Sequence, residues 1–511
     1  MEAKLQELKI RLLEINDIES VNALLGWDQT TYMPSGGAMA RGRQSATLGG
    51  LAHEKFTDPA IGKLLDELRS YEESLPYDSD DASLIRVTRR DYERAVKVPP
   101  TFVAQFYGHI AASYDAWARS RPANDFHSVQ PYLEKTLDLS RQRAAFFPGY
   151  EHIADPLIDY ADYGIKAFTL RALFGQLREQ LAPIVQAITS QPAVDDACLH
   201  QTFPEAPQVA FGVDVVKRFG YDFQRGRLDK SPHPFTTQFS IGDVRITTRV
   251  KENDLTEALF GIWHEGGHAL YEQGVRMEFE GTPLARGTSA GIHESQSRLW
   301  ENLVGRSLTF WKFFYPRLQQ VFPDQLGAVS LDTFYRAINK VSRSLIRTDA
   351  DEVTYNLHVI IRFGLELDLL EGKLAVRDLP EAWRERYTTD LGVTPPDDRD
   401  GVLQDVHWYN GPIGGEFQGY TLGNIFNAQF FEAALRAHPQ ILTEMENGEF
   451  GALHGWLKEN IYQHGAKFTA SELVERVTGG PMSIEPYIRY LWTKYQPLYG
   501  LSGDIPGNPA A

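Results

Sequence analysis

Apolar residues recur every three to four positions along almost the whole chain, which commits it to a helical fold. Met1, Leu5, Leu8, Leu12 and Ile15 set the pattern, with Glu2, Glu7, Lys9 and Glu14 between them. The same spacing returns at about 59–74, 81–96, 165–190, 255–273, 292–320, 331–346, 350–371, 380–388, 425–437, 450–463 and 484–495. Pro/Gly clusters at 34–37, 392–401, 410–415 and 500–508 read as turns, and none is long enough for an interdomain linker. The expectation is a mainly α chain forming one unit over 1–511, with two lobes as the variant, and a frayed tail at 502–511.

One stretch has period two instead. Phe235, Thr237, Phe239 and Ile241 alternate with polar neighbours up to Gly242-Asp243; Val244, Ile246, Thr248 and Val250 alternate after it. This predicts a β-hairpin whose second strand carries Arg245 and Thr247 on one face.

Composition narrows the function. Acids outnumber bases, 68 to 51, for a net charge of −17. A nucleic-acid protein needs a clustered basic face, so none is expected as partner. The single cysteine, Cys198, cannot form an internal disulfide, which fits a reducing, cytoplasmic setting. No apolar run approaches a membrane span, and the charged N-terminus lacks a signal-peptide stretch.

The chemistry sits just after the hairpin. Asp254-Leu-Thr-Glu257 has the look of a helix start, and Gly274 of its end. Between them lies His264-Glu265-Gly266-Gly267-His268. Two histidines four apart stand about 6 Å apart along the axis on nearly the same face, so both imidazoles can reach one zinc ion; the alternative is two satisfied histidines on a core helix. Glu265 follows the first of them and is the expected general base of a metalloprotease. Each glycine costs about 1 kcal/mol in a helix interior, a cost explained if another backbone or a substrate comes close. A catalytic zinc needs a third protein ligand. Glu294, in Gly291-Ile-His293-Glu294-Ser-Gln-Ser-Arg298, is the favoured donor and His293 the competing one; the alternative is that both are merely solvated at a helix start.

These segments, with several others in the same order, resemble the carboxypeptidase Taq family of metallocarboxypeptidases almost end to end. The matching runs are LLGWDQTTYMPSGGAMARGRQ (24–44), HPF (233–235), Asp243-Val-Arg245-Ile-Thr247, HEGGH (264–268), HESQSR (293–298), Ile346-Arg347-Thr-Asp-Ala350-Asp351 and Gly401-Val-Leu-Gln404-Asp405-Val-His407-Trp408. The resemblance implies a helical, saddle-like fold with a deep groove and a small sheet beside the metal. It implies release of single residues from peptide C-termini with broad tolerance, an intracellular homodimer, and zinc, with cobalt as an alternative. Carried over by position, His264, His268 and Glu294 are the metal ligands and Glu265 the base. The chain departs from the family where Gln418 stands in place of a proline before Tyr420.

Tyr420 is the leading donor to the oxyanion. An exopeptidase also needs a cation for the substrate carboxylate, and an Arg fork suits it. Arg347 is favoured over Arg245; either alternatively forms a structural salt bridge. Asp351 is expected to orient Arg347. His407 either contacts the substrate or oxyanion or is a buried histidine satisfied by Asp405, and Gln404 is a candidate contact to the substrate backbone. Trp300, Phe310, Trp311 and Tyr315 are expected in the core. The competing functions are an oligoendopeptidase or dipeptidase on a similar cleft, and a non-catalytic helical peptide-binding protein.

Overall fold

The computed structural model describes residues 1–505. Part of the tail expected at 502–511, residues 506–511, lies outside the described residues. Contacts divide the chain into two compact units, each assembled from separated stretches. The first comprises Met1–Val96, Asp196–Ile338 and Phe430–Gly480; the second comprises Lys97–Asp195, Asn339–Gln429 and the stretch from Pro481 onward. Both are mainly helical.

In the first unit the N-terminal helix Glu2–Thr31 buries the stripe read from the sequence. Leu5, Leu8, Leu12 and Ile15 pack with Ile61, Leu64, Leu65 and Leu68 of the helix Pro59–Ser74 and with Leu84, Ile85 and Val87 of the helix Asp80–Ala95. Each of those two helices starts on a side-chain cap: Asp58 accepts from Ala60 N at 2.8 Å, and Ser79 from Ala82 N at 3.3 Å. A second, aromatic core holds Trp300, Phe310, Trp311 and Tyr315, all buried as expected, around Phe219 and Trp263.

The hairpin forms as β2 (Thr236–Ser240) and β3 (Asp243–Thr248), antiparallel with Thr237 opposite Arg245. A strand not foreseen from the sequence, β1 (Leu228–Lys230), pairs parallel to β3 and gives the order β1-β3-β2. At three residues it is too short for alternation to register. Asp254 caps the HEGGH helix, Leu255–Gly274, by accepting from Thr256 N at 2.8 Å. Glu257 does not close a capping box; it pairs with Arg249 and Lys251.

The second unit contains two long helices, Pro100–Ala123 and Phe126–Ala145, that periodicity did not reveal. Their buried faces include Ser113, Ser120, Thr136 and Ser140, which blur the apolar stripe. The helix expected over 331–346 ends at Ile338. Beyond it, backbone groups are claimed by side chains: Val341 N donates to the Tyr499 hydroxyl at 2.7 Å and Ser342 N to Asp351 Oδ2 at 3.0 Å. No helix of the described residues is long and apolar enough to cross a membrane.

Candidate functional site

The HEGGH helix is buried on nearly every side. A Cβ on Gly267 would stand 2.5 Å from the backbone oxygen of Gln296 and 2.7 Å from Ser297 Cα. Backbone cannot yield as a flexible side chain does, so glycine is what lets the helix Ala290–Arg298 pack this closely and deliver Glu294. Gly266 gives the same clearance to Val216, whose Cγ2 would lie 2.3 Å away.

The ligand atoms offered by His264, His268 and Glu294 lie within 4.8 Å of one another. Glu294 Oε2 is 3.7 Å from His264 Nε2 and 3.4 Å from His268 Nε2. Donors about 2.0–2.1 Å from a tetrahedral zinc stand about 3.4 Å apart, so this set fits one small divalent ion. Electrostatics agree. Burial disfavours a charged His264, yet the Glu294 and Glu301 carboxylates outweigh it and hold its pKa above the usual value, so positive charge is favoured at this spot. Burial brings His268 down to about 3, against the pull of Glu294, and it stays a neutral imidazole.

Each imidazole is backed from behind. His264 Nδ1–H donates to Glu301 Oε2 at 2.8 Å. With its Nε2 lone pair turned to the cluster, His268 carries its proton on Nδ1, which donates to His293 Nδ1 at 2.5 Å; His293 Nε2–H donates to Glu272 Oε1 at 2.6 Å. His293 therefore supports a ligand position without joining the donor set. Such partners fix tautomer and ring orientation. Arg298 donates to Glu294 Oε1 at 2.7 Å and to Glu301 Oε2 at 3.2 Å. Burial would raise Glu294 and Glu301, but Arg298 and the histidines hold both low, Glu301 at about 2. Glu301 lies on a π-helical stretch, Leu299–Val304, that continues the Glu294 helix.

Glu265 is buried, and burial pushes its carboxyl above the ordinary glutamate range, opposed by His264 and by Thr236. The Thr236 hydroxyl donates to Glu265 Oε2 at 2.7 Å, so β2 orients the acid. Arg245 of β3 makes a two-pronged pair with Asp243, at 2.9 and 2.7 Å, and lies over the rings of Trp27 and Phe239.

The second unit gathers the other expected residues. Arg347 is buried; its Nε donates to Asp405 Oδ2 at 2.7 Å and its Nη1 to the Tyr355 hydroxyl at 2.9 Å. Asp405, and not Asp351, orients it. Asp351 instead caps the following turn, accepting from the backbone of Val353 and Thr354. Gln404 spends its side chain on backbone: it accepts from Arg347 N at 2.9 Å and donates to Leu345 O at 2.8 Å and Asp400 O at 3.2 Å. His407 is half-buried and satisfied by Asp405. Its Nδ1 bonds Asp405 Oδ1, and its Nε2 lies 3.1 Å from the Tyr420 hydroxyl. Gln418 replaces the rigidity of a proline with hydrogen bonds, donating to Asp162 Oδ2 at 3.0 Å and Gly415 O at 2.8 Å.

Three contributors escaped the sequence: Glu301, Arg298 and Thr236. Glu301 and Arg298 had a signal, since 294, 298 and 301 share one helix face.

Comparison with known proteins decides the family. The profile of the carboxypeptidase Taq (M32) metallopeptidases matches residues 7–495. The chain belongs to this family. It is 42% identical over 509 residues to thermostable carboxypeptidase 1 of Thermus thermophilus, covering 98% of this chain and 99% of that one. It is 35% identical to carboxypeptidase 1 of Bacillus subtilis over 96% of this chain and 97% of that one. The crystal structure of the M32 carboxypeptidase of Deinococcus radiodurans is similar at a TM-score of 0.95 and 50% identity, covering 98% of this chain and all of that one. The chain is thus a metallocarboxypeptidase by family, with a donor set suited to a metal.

Proposed function

We propose that this M32 enzyme is a zinc carboxypeptidase that removes single residues from free peptide C-termini with broad side-chain tolerance. What carries the proposal is the convergence of His264, His268 and Glu294 beside a buried Glu265. Those three residues would hold the ion; cobalt suits the same nitrogen and oxygen donors. Bound there, zinc supplies a Lewis acid for the scissile carbonyl and lowers the pKa of water.

The remaining work falls to side chains. Glu265 takes the proton of the attacking water and returns it to the leaving amine, with Thr236 holding its carboxylate in place. Tyr420 donates to the developing oxyanion, with His407 steadying the phenol from 3.1 Å. Arg347 anchors the substrate carboxylate. Gln404 acts through the Arg347 backbone, and Arg245, tied to Asp243, acts by position. The family resemblance supports a homodimer, and the lone cysteine supports a cytoplasmic setting.

The test is a peptide supplied with a free and with an amidated C-terminus, its products followed by mass spectrometry. Stepwise loss of single residues from the free form alone is expected. Cleavage inside the chain, or of the amidated form, would move the enzyme to the endopeptidases.

A further inference from the structure

The helix Tyr355–Leu370 runs through the second unit with a largely apolar sequence in which His358, Arg362 and Glu366 recur among the polar positions. Spaced four apart, they share one face, and all three are fully buried. Arg362 lies 4.4 Å from the ring centre of Trp408, 4.3 Å from Phe417 and 5.1 Å from Trp383. Its Nη1 stands 3.5 Å from Asp405 Oδ2, and none of its three nitrogens makes a hydrogen bond among the described residues. A buried cation so poorly compensated is costly. Packing alone would be served better by an apolar side chain.

What the charge accomplishes follows from its neighbours. Asp405 is the one carboxylate within ion-pair distance of either Arg347 or Arg362 among the described residues. Arg347 and Asp405 alone would form a neutral pair, a weak attractor for a further anion. With Arg362 added, one carboxylate serves two guanidinia and the cluster carries a net positive charge. Glu366 does not cancel it: Trp408 Nε1 donates to it at 2.7 Å, and burial pushes its carboxyl up to about 8, so near neutrality it is mostly uncharged. His407 and His358 are both pushed down by burial and by the two arginines, and stay neutral. Arg347 Nη2 makes no hydrogen bond among the described residues and remains available to a ligand.

We propose that Arg362 is a positioning residue for carboxylate recognition: as second counter-ion of Asp405, it leaves Arg347 with the uncancelled positive charge that the peptide's terminal carboxylate requires. This rests on Arg347 as the anchor. Arg362 acts through Asp405 and Arg347, without itself touching substrate.

The experiment is calorimetric binding of a peptide whose terminal amide is replaced by a non-hydrolysable reduced isostere, as free acid and as C-terminal amide, to the metal-loaded full chain. Wild type should prefer the acid. Arg362→Met should weaken acid binding by on the order of tenfold, with amide affinity unchanged; Arg362→Lys, which keeps the charge, should restore the preference. Equal weakening of acid and amide would mean a merely structural role, and an unchanged preference would mean none; either overturns the proposal. If Arg362→Met does not fold, Arg362→Lys decides alone, since loss of acid preference there would rule out charge as the agent. Arg347→Ala separates the two levels. A preference surviving in Arg347→Ala removes the anchor itself, whereas one lost in Arg347→Ala but kept in Arg362→Met removes only the role of Arg362.

Discussion

The two buried ionic clusters are built with opposite deficits. Around HEGGH, the carboxylates of Glu294 and Glu301 meet the guanidinia of Arg298 and Arg306, Glu265 is held by the Thr236 hydroxyl, and two imidazoles turn their Nε2 atoms inward. Around Asp405, two guanidinia share one carboxylate. In the first, acids outnumber arginines; in the second, arginines outnumber acids. Isolated buried charge is unfavourable, and under the proposed function the first cluster takes a divalent cation and the second the substrate carboxylate.

The strongest way to break this contrast is to keep the cation and remove the base. Glu265→Gln should lower kcat by about 10²–10⁴-fold while metal content by mass spectrometry stays at the wild-type level. An active variant would take Glu265 out of the chemistry.

On the cationic side, Arg347→Ala should raise KM for an unblocked peptide by roughly 10- to 100-fold, with a smaller change in kcat. A KM that does not move would leave the second cluster purely structural. The contrast is sharpened by Glu301→Gln, which removes a carboxylate behind His264 without touching the donor set. Zinc affinity, read by competition with a chelating dye, should fall by about 10- to 100-fold.

A separate effect concerns stability. The Glu366 carboxyl sits at about 8 in the folded chain against an ordinary 4.5. A raised acid stabilises the fold fully below its unfolded pKa, and that contribution is lost as pH climbs from about 4.5 to about 8. Urea denaturation should therefore show stability falling by up to about 1.4 kcal/mol per pH unit in that window from this group. Glu366→Gln, always neutral, should flatten the slope.

What the sequence disclosed divides along physical lines. Features carried by local repetition were legible: the stripe of Leu5, Leu8, Leu12 and Ile15, the hairpin at Gly242-Asp243, and the one-turn spacing of His264 and His268. The paired glycines pointed to a close approach, and the approaching group is the backbone of Gln296–Ser297. Features made by long-range contact were hidden. No local pattern ties Thr236 to Glu265, or Asp162 to Gln418, which lie 29 and 256 positions apart. The helix expected through 331–346 stops because backbone groups past Ile338 find better partners in Tyr499 and Asp351. Asp351 was paired with Arg347 on proximity in sequence, whereas the carboxylate that reaches the guanidinium comes from 58 positions away.

The central claim is that His264, His268 and Glu294 hold a single ion on which exopeptidase activity depends. Its most direct test is to strip the chain with chelator, titrate zinc back, and record amino-acid release from an unblocked peptide at each step. Release should be absent at the start, rise linearly, and break at one zinc per chain. Activity in the stripped protein, or a rise with no break at one equivalent, would contradict the account.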